Sequence, residues 1–329
     1  MSDGFEANGL AACWTPVALS RELKRKPRAF TVSGVKVALF RDAQGHAGAL
    51  ADQCPHRGVS LSLGRVAADG CLECPFHGWR FSTDGACSAV PLTRLPEPRR
   101  RQLDARAFAA REAGGLIWLY TGDAAEAGDP PIPPDLLDPA FGGWRHAETW
   151  ATHWTRAMEN MLDVPHLPFV HRRTIGRQMR KRMGPDTALE LAVTPEPSGA
   201  KVTWRMDGAD FGTALRWLRP NGMELDIRLG GARRSIMHVW CVPEAQDRTR
   251  MIVATSRTFA RWPLLRRLFD QFSRLILLED RAIVESSRPR EAPPPAEERS
   301  VPTDRATLHF RSWYLAQVRP SQPRIPSLA

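Results

Sequence analysis

The sequence predicts a two-domain protein of the α+β class, in which an all-β domain precedes a mixed one. Short β-rich segments separated by glycine-containing turns fill residues 28–120. A proline-rich segment at residues 128–134 follows, and it cannot form the interior of a helix. Beyond it, strand-like segments are combined with the longest helical pattern of the chain, at residues 263–287. We therefore place the domains at residues 10–127 and 135–329.

The predicted elements follow in order along the chain. In the first domain, residues 30–40 are rich in β-forming side chains and precede a turn at residues 42–45, and residues 115–120 form another apolar strand. In the second domain, residues 146–155 are strand-like, and residues 156–164 are expected to form a helix that ends near a proline. Three further strand regions are expected, at residues 187–206, 223–241 and 249–258.

The composition narrows the class of protein. The chain has 329 residues, 43% of them hydrophobic, which is enough for packed cores. Residues 1–20 lack a basic start followed by a long apolar run. No stretch approaches the roughly 20 apolar residues of a membrane span. We therefore expect a cytoplasmic protein with no membrane-spanning segment.

The net charge of +10 permits several kinds of partner. A basic protein can bind nucleic acid, anionic membranes or an acidic protein. All but five of the 46 basic residues are arginine, an arginine use that a GC-rich genome also produces. The basic run at residues 172–182 could meet an anionic substrate or an acidic partner, or it could be a solvated face. No nucleic-acid-binding motif is recognised, so we predict no nucleic-acid partner.

Two short clusters of cysteine and histidine form the first candidate metal site. Cys54-Pro-His56 and Cys74-Pro-Phe-His77 each offer one thiolate and one imidazole, and 17 residues (57–73) separate them. Two thiolates and two imidazoles on adjacent loops can hold a Rieske-type [2Fe–2S] cluster, in which two histidines replace two cysteines on one iron. Zinc also accepts such a ligand set, but zinc ribbons usually pair like ligands, whereas each loop here carries one of each.

The residues around these clusters leave some roles open. Cys71 and Cys87 lie nearby and are rival ligands, although neither is followed by a histidine two or three residues later. Gly58 and Gly78 follow the two histidines closely, as expected where the backbone must approach inorganic sulfur. Trp79 is expected to pack over the cluster without a chemical role.

A second metal signature follows about 80 residues later. It has the frame Asn-x-x-Asp-x-x-His-x₄-His, and non-haem Fe(II) sites use two histidines and one carboxylate. Asp163 and His166 are three residues apart and are expected to share a helical face. His166 and His171 are five apart, about 140° around a regular helix. We expect Pro165 and Pro168 to break the helix, so that both imidazoles can converge on one ion.

Together the two motifs resemble the Rieske non-haem iron oxygenases, in their catalytic (alpha) subunit, over about residues 10–320. The resemblance makes His166 and His171 iron ligands and Asp163 the bridge that passes electrons from a neighbouring subunit's cluster. Asn160 would lie near the open side of the iron, or would form a helix-to-sheet hydrogen bond. The implied cluster ligands are Cys54, His56, Cys74 and His77.

The third iron ligand is less well defined by the sequence. In the family it is an aspartate on a late helix, and Asp280 is the best match. Periodicity does not separate it from Glu279, because both lie near the apolar side of the predicted helix. A third possibility is that the acid on this helix is structural and that the true ligand lies elsewhere.

The resemblance also implies an architecture and partners. It predicts a Rieske β-domain, then a catalytic domain of the helix-grip-like type, with an antiparallel sheet and helices. A head-to-tail homotrimer would bring one subunit's cluster beside the next subunit's iron. Electrons would come from an NAD(P)H-dependent reductase, a ferredoxin or both, since no Gly-x-Gly-x-x-Gly follows a strand here.

The implied reaction uses O₂ as co-substrate together with the cluster and a mononuclear Fe(II). The short single chain resembles the monooxygenase and demethylase branch, which hydroxylates C–H bonds or removes methyl groups oxidatively. Residues 169–176 are also similar, less specifically, to chlorophyll-catabolite-type relatives. The alternatives are arene cis-dihydroxylation and, from another class, a Rieske electron carrier without oxygenase activity. The substrate stays open, since Trp204, Phe211 and Trp240 could line a pocket or belong to an aromatic core.

Overall fold

The first half of the chain folds into three small antiparallel sheets. The computed structural model describes Phe5 and residues 9–318. Among these residues, the sheets have the strand orders β1-β11-β10, β2-β3-β4-β9 and β5-β6-β7-β8. A short helix, α1 (Glu97–Arg101), precedes β9. The strands are β1 (Trp14–Leu19), β2 (Arg28–Val32), β3 (Val35–Arg41), β4 (Ala47–Ala51), β5 (Arg65–Val66), β6 (Leu72–Glu73), β7 (Arg80–Phe81), β8 (Cys87–Ala89), β9 (Ala107–Phe108), β10 (Ala110–Ala113) and β11 (Leu116–Tyr120).

The second half contains one large antiparallel sheet and five helices within the described residues. Its strand order is β12-β19-β18-β17-β16-β14-β13, with β15 paired to β14. The strands are β12 (Gly142–Trp150), β13 (Leu189–Glu196), β14 (Gly199–Met206), β15 (Ala209–Asp210), β16 (Thr213–Leu218), β17 (Gly222–Arg228), β18 (Arg234–Ala245) and β19 (Arg248–Arg257). The helices are α2 (Trp154–Leu162), α3 (Leu167–Val170), α4 (Arg177–Arg182), α5 (Pro263–Val284) and α6 (Arg305–Gln317).

The predicted α+β class is confirmed, with small differences in the elements. Strand β16 was not predicted; its sequence Thr-Ala-Leu-Arg-Trp-Leu has only a short alternation between two turns. Helix α5 ends at Val284, three residues earlier than expected. The boundaries 10–127 and 135–329 stay a prediction, because the two halves share buried side chains.

The large sheet is buried on both faces, which joins the two halves into one packed unit. Successive side chains of a strand point to opposite faces. On β18, Val239 and Cys241 therefore join the core formed with α2 and α6. Their neighbours Trp240 and Val242 join the core of the first half, where Trp240 packs edge-on against Trp118 with ring centroids 5.2 Å apart.

Hydrogen bonds reinforce this junction. The amide of Asn221 donates to Thr15 Oγ1 (3.2 Å), and the guanidinium of Arg250 pairs with Glu22 at 2.7 Å. The backbone N–H of Ser33 donates to the carbonyl of Pro243 (2.6 Å). The position of the first half relative to the large sheet is thus fixed by buried apolar contacts and by polar contacts at their edge.

Helix α5 carries its apolar stripe on the side that faces solvent. The stripe is formed by Leu264, Leu268, Phe272 and Leu275, which recur at helical spacing. Leu264 is 72% exposed and Leu268 is 60% exposed. The opposite side, near the C-terminal end of α5, is the buried one and carries Asp280. This orientation is the reverse of the usual surface helix, whose apolar face covers the core.

No helix in the described part of the chain is both long enough and apolar enough to cross a bilayer.

Candidate functional site

The two Cys/His loops have the same backbone conformation. In each, the N–H of the glycine four residues after the cysteine donates to the cysteine carbonyl: Gly58 to Cys54 at 2.8 Å and Gly78 to Cys74 at 3.0 Å. Both glycines have positive φ, +70° and +71°, a region that favours glycine. Each cysteine N–H donates to the carbonyl five residues ahead, at 2.8 Å. His56 comes two residues after its cysteine, and His77 comes three residues after its own. The backbone hydrogen bonds of the two loops are nevertheless the same.

The loops bring the four predicted cluster ligands together at one surface. Cys54 and Cys74 are buried, and their side chains lie within hydrogen-bonding reach of each other. His56 and His77 are exposed, with ring centroids 4.6 Å apart. Two thiols thus form the inner side of the site and two imidazoles the outer side. Trp79 stacks on His56, with ring centroids 4.4 Å apart, and its place over a cluster stays a prediction.

The two rival cysteines have other contacts. Cys71 Sγ accepts a hydrogen bond from Ser88 Oγ at 3.3 Å. The backbone N–H of Cys87 donates to Asp104 at 2.7 Å, and its thiol lies in the local apolar core. Neither arrangement resembles the loops that carry Cys54 and Cys74. We therefore regard both thiols as packing groups of the small sheet β5–β8.

The second signature spans a break between two helices. Helix α2 ends at Leu162, and Asp163 has extended backbone (ψ 119°). The prediction that Asp163 and His166 share one helical face is therefore wrong, because Asp163 lies outside α2 and His166 is the N-cap residue of the separate helix α3. Pro165 lies in the break, as expected. Pro168 does not break a helix; it lies in the first turn of α3, where its missing N–H costs no hydrogen bond.

The break lets two imidazoles converge with a carboxylate from α5. The donor atoms of His166, His171 and Asp280 all lie within 4.8 Å of one another. Asp280 Oδ1 is 3.1 Å from His171 Nε2 and 3.5 Å from His166 Nε2. Metal–ligand bonds of about 2.1 Å at right angles place donor atoms about 3 Å apart. The spacing therefore suits three ligands on one face of a single ion.

Glu279 contacts the site from outside. Its carboxylate is 2.8 Å from His171 Nδ1 and accepts a hydrogen bond from Thr174 Oγ1 at 2.8 Å. Burial alone would lower the pKa of His171, but Asp280 and Glu279 outweigh it and raise that pKa. This role of Glu279 was not predicted from the sequence. A carboxylate that holds the second nitrogen of a metal-ligating histidine fixes the tautomer and the ring orientation.

Comparisons with known proteins agree with these two sites. The Rieske [2Fe-2S] domain matches residues 13–99, and the vanillate O-demethylase oxygenase C-terminal domain matches residues 150–319, more than half of the chain. The chain belongs to the Rieske oxygenase family. The recognition made from the two motifs is thereby confirmed.

Individual relatives of this Rieske oxygenase vary in function. Chlorophyllide a oxygenase of Chlamydomonas reinhardtii is 28% identical over 96% of this chain and 50% of its own length. The oxygenase component of dicamba O-demethylase from Stenotrophomonas maltophilia is 36% identical over 48% of this chain and 47% of its own length. The structure of Pseudomonas putida CBB5 NdmA has the same fold, with a TM-score of 0.79 and 23% identity over 95% of this chain and 91% of that one. The chain spans about half to two thirds of the length of the curated relatives that match most of it.

The residues of this Rieske oxygenase fit the two cofactors of its family. Burial raises the pKa of the Cys54 thiol to about 11, so the thiol stays protonated unless a metal displaces the proton. Asp280 Oδ1 is buried and makes no hydrogen bond within the described residues, although two imidazole nitrogens face it. A cation at the centre of that triangle would satisfy all three atoms. We assign the cluster to the loops and the iron to the triangle as a proposal.

Asp163 and Asn160 lie on the wall between the candidate iron site and the surface. Both line a small cavity beside His166, and both also line an open polar cleft of about 280 Å³ on the other side. Asp163 Oδ2 accepts from the backbone N–H of His166 (3.1 Å) and lies 3.3 Å from His166 Nδ1. Asn160 Nδ2 is buried and has no hydrogen-bond partner in the part of the chain that the structure describes, so this nitrogen does not form the helix-to-sheet bond that was its alternative role there.

The cavity on the iron side is small and apolar. It encloses about 40 Å³ and lies between the large sheet and helices α2, α3 and α5. Trp204, on β14, contributes to its wall, as one of the three aromatic candidates. The other two do not: Trp240 belongs to the core under the sheet, and Phe211 is half-buried beneath Arg182. The lining residues are Asn160, Met161, Asp163, Val164, His166, Leu167, His171, Ile175, Trp204, Leu215, Met223, Leu225, Met237, Ile276 and Asp280.

The basic run at residues 172–182 lies next to the second predicted iron ligand. Most of its charged side chains are exposed, and Arg180 and Arg182 lie over the rings of Phe169 and Phe211. Ile175, within the run, lines the cavity. The charged groups themselves do not line it, so the run forms an outer face beside the site and does not contribute to its interior.

Proposed function

We propose that this chain is the terminal oxygenase of a Rieske system that hydroxylates a C–H bond or removes a methyl group oxidatively from a small organic substrate. The observation that carries the proposal is the triangle formed by His166, His171 and Asp280, which opens on an apolar cavity. Two histidines and one carboxylate on one face of an ion leave positions open, as in non-haem Fe(II) oxygenases. His56 and His77, the proposed cluster histidines of the same chain, are exposed, so that an electron donor can reach them.

The chemistry requires O₂, two electrons and two protons. Hydroxylation converts C–H into C–OH and releases one water. When the carbon belongs to a methyl ether, the hydroxylated group leaves as formaldehyde, and an alcohol or phenol remains. Demethylation is favoured over arene dihydroxylation for two reasons. The domain family that matches the second half of the chain is named for O-demethylation, and so is a relative that is 36% identical.

An iron held by His166, His171 and Asp280 would supply the place where O₂ is activated. The protein's own residues prepare that place. Glu279 holds His171 through Nδ1, which leaves Nε2 directed at the centre of the triangle. Asp280 supplies the anionic ligand. The apolar lining excludes bulk water, which protects reactive species and strengthens the electrostatic interactions inside. An NAD(P)H-dependent reductase, with or without a ferredoxin, would supply the electrons.

Asp163 is the residue proposed to connect the two centres. It contacts His166 on one side and reaches the surface cleft on the other, with its side chain 28% exposed. A carboxylate can accept charge-assisted hydrogen bonds from two imidazoles at once. We propose that its second partner is a cluster histidine of a neighbouring copy, which would make a closed homotrimer the working unit.

The outward stripe of α5 supports self-association. Leu264, at the start of the stripe, is 72% exposed, and Trp262, just before α5, is 79% exposed. Near the other end of the helix, the exposed Ile283 extends the stripe and lines the same cleft as Asp163. Monomeric proteins rarely expose contiguous apolar patches larger than a few hundred Å². A neighbouring subunit seated at the cleft would also cover the end of this stripe.

The proposed function is tested by stoichiometry. The purified protein is expected to contain three irons and two labile sulfides per chain. With a Rieske-system reductase and a panel of aryl methyl ethers, it should consume NADH and O₂ and form formaldehyde in equal amounts. One zinc per chain without labile sulfide would exclude the cluster. A reducible cluster without substrate-dependent O₂ uptake would leave the chain as an electron carrier.

A further inference from the structure

Two residues beside the candidate iron site carry buried hydrogen-bond donors without a partner among the described residues. Trp204 is 5% exposed, and neither its Nε1 nor Asn160 Nδ2 has a hydrogen-bond partner in the described part of the chain. Both residues line the cavity. Buried polar groups in native structures nearly always have a partner, so a donor left free at a ligand site is a candidate for recognition.

Trp204 differs from three other buried tryptophans of the chain. Trp118, Trp150 and Trp217 each donate the indole N–H to an oxygen of the protein, at 3.2, 2.8 and 3.0 Å. Trp154 Nε1 also has no partner, but its ring packs in the apolar core against Phe310 and does not line the cavity. Trp154 is therefore a useful internal control.

The strand that carries Trp204 directs it inward. On β14, Val202, Trp204 and Met206 are buried, whereas Thr203 and Arg205 between them are exposed. Alternation along the strand therefore places the indole on the face that meets the helices. The indole therefore lines the cavity beside the triangle of His166, His171 and Asp280, and its N–H is closed to solvent.

The charges around the cavity limit the substrate further. Of the described residues that line it, none is lysine or arginine, while Asp163 and Asp280 contribute two carboxylates, which would offset the charge of a bound Fe(II). A buried anionic group on a substrate would have no basic side chain to pair with, and unpaired buried charge is strongly disfavoured. The available polar partners are neutral N–H donors, which suit a carbonyl, ether or hydroxyl oxygen.

The size of the cavity requires that its lining moves. About 40 Å³ holds only a few water molecules. Three of the lining residues are Met161, Met223 and Met237, and methionine is unbranched and readily changes rotamer. An aromatic ring can therefore enter by displacing flexible side chains, with the donors at fixed positions on α2 and β14.

We infer that the substrate is an uncharged, largely apolar molecule with a hydrogen-bond acceptor, and that Trp204 and Asn160 read that acceptor. This inference rests on the proposed function, because it assumes that the cavity beside the triangle is the substrate site. Trp204 is a specificity residue in this scheme: it positions the substrate and takes no part in bond breaking.

Three probes of similar shape test the inference. They are 4-methoxyacetophenone, which has a carbonyl acceptor; 4-isopropylanisole, which lacks it; and 4-methoxybenzoate, which is anionic. Equilibrium binding to the holoenzyme is measured by calorimetry, so the result does not depend on turnover. We expect the ketone to bind on the order of ten-fold more tightly than 4-isopropylanisole, and the carboxylate to bind most weakly.

Matched variants locate the effect. Trp204→Phe should raise the dissociation constant of the ketone toward that of 4-isopropylanisole, with Asn160 keeping part of the preference, and should leave the binding of 4-isopropylanisole nearly unchanged. Trp154→Phe should preserve the difference. Three outcomes would overturn the inference. The carboxylate could bind most tightly, Trp204→Phe could keep the full preference for the ketone over 4-isopropylanisole, or none of the probes could bind. Failure of the proposed function would give a different result. The three probes would bind in the expected order, but the assay with reductase would show no O₂ uptake and no formaldehyde.

Discussion

The two metal regions differ in how the chain builds them. The cluster loops come from one short stretch, residues 54–77, and present their histidines at the surface. The triangle joins residues 166 and 171 to residue 280, and all three side chains are largely buried. Local loops at the surface suit a centre that must meet another protein. A site assembled from distant helices can be closed to water, as O₂ chemistry requires.

The largest expected effect concerns Asp280. Asp280→Ala should lose the mononuclear iron and all turnover, because the triangle then has no anionic ligand. The cluster, held by residues far away in the sequence, should keep its visible absorption. Iron analysis and absorption spectroscopy check both points.

Glu279→Gln is the matched control for that variant. It should keep the iron but bind it about 10 to 100-fold more weakly, the usual cost of losing a partner behind a ligating histidine. If Glu279→Gln were to lose the iron entirely while Asp280→Ala kept it, the two neighbours would have exchanged roles.

The next effect lies on the connection between the regions. Asp163→Asn should keep both metals and lower turnover at least about 100-fold, because an amide cannot accept the same charge-assisted hydrogen bonds from two imidazoles. The reductase should still reduce the cluster. Near-wild-type product formation in a single turnover would contradict the bridging role.

A smaller effect is expected within the cluster region alone. His77→Cys should keep a cluster but lower its reduction potential, since histidine ligation is what raises Rieske potentials above those of all-cysteine clusters. Potentiometry with an electron paramagnetic resonance readout measures the shift. An unchanged potential would mean that His77 is not a ligand.

The smallest effect should come from Cys71→Ser. The Cys71 thiol only accepts a hydrogen bond from Ser88 in this structure, so iron and sulfide content should match the wild type. A loss of sulfide would indicate that Cys71 is a cluster ligand. The cluster would then not be held by the two Cys/His loops alone.

The same contrast explains what the sequence could predict. The cluster loops were recognisable because their ligands and glycines lie within one local motif, and the α+β class followed from segment patterns. Asp280 could not be separated from Glu279 by periodicity, because α5 turns its apolar stripe to solvent and its acid toward the interior. The apolar side chains of such a helix mark its solvent-exposed side, so their pattern misleads about which side faces the core.

Other features depended on three-dimensional contacts with no local signal. The break after Leu162 was expected from Pro165, but the position of Asp163 outside the helix was not. The free N–H of Trp204 has no signature in the sequence, since a partner for an indole can come from any strand nearby. The paired carboxyls at 279 and 280 offered one usable hint, because adjacent acids on a helix cannot both face the same ion.

The interdigitated junction at Trp118 and Trp240 has a consequence for evolution and engineering. Alternate residues of β18 and β19 complete the apolar interior of the first half. If that half were replaced by the corresponding half of a relative, the new side chains would not fit those of the sheet. Recombination at the proline-rich segment is therefore expected to yield insoluble chimaeras unless Trp240, Val242, Ile252 and Ala254 are transferred too. New electron donors are more easily accommodated by changes at the loop tips, where His56 and His77 already lie in solvent.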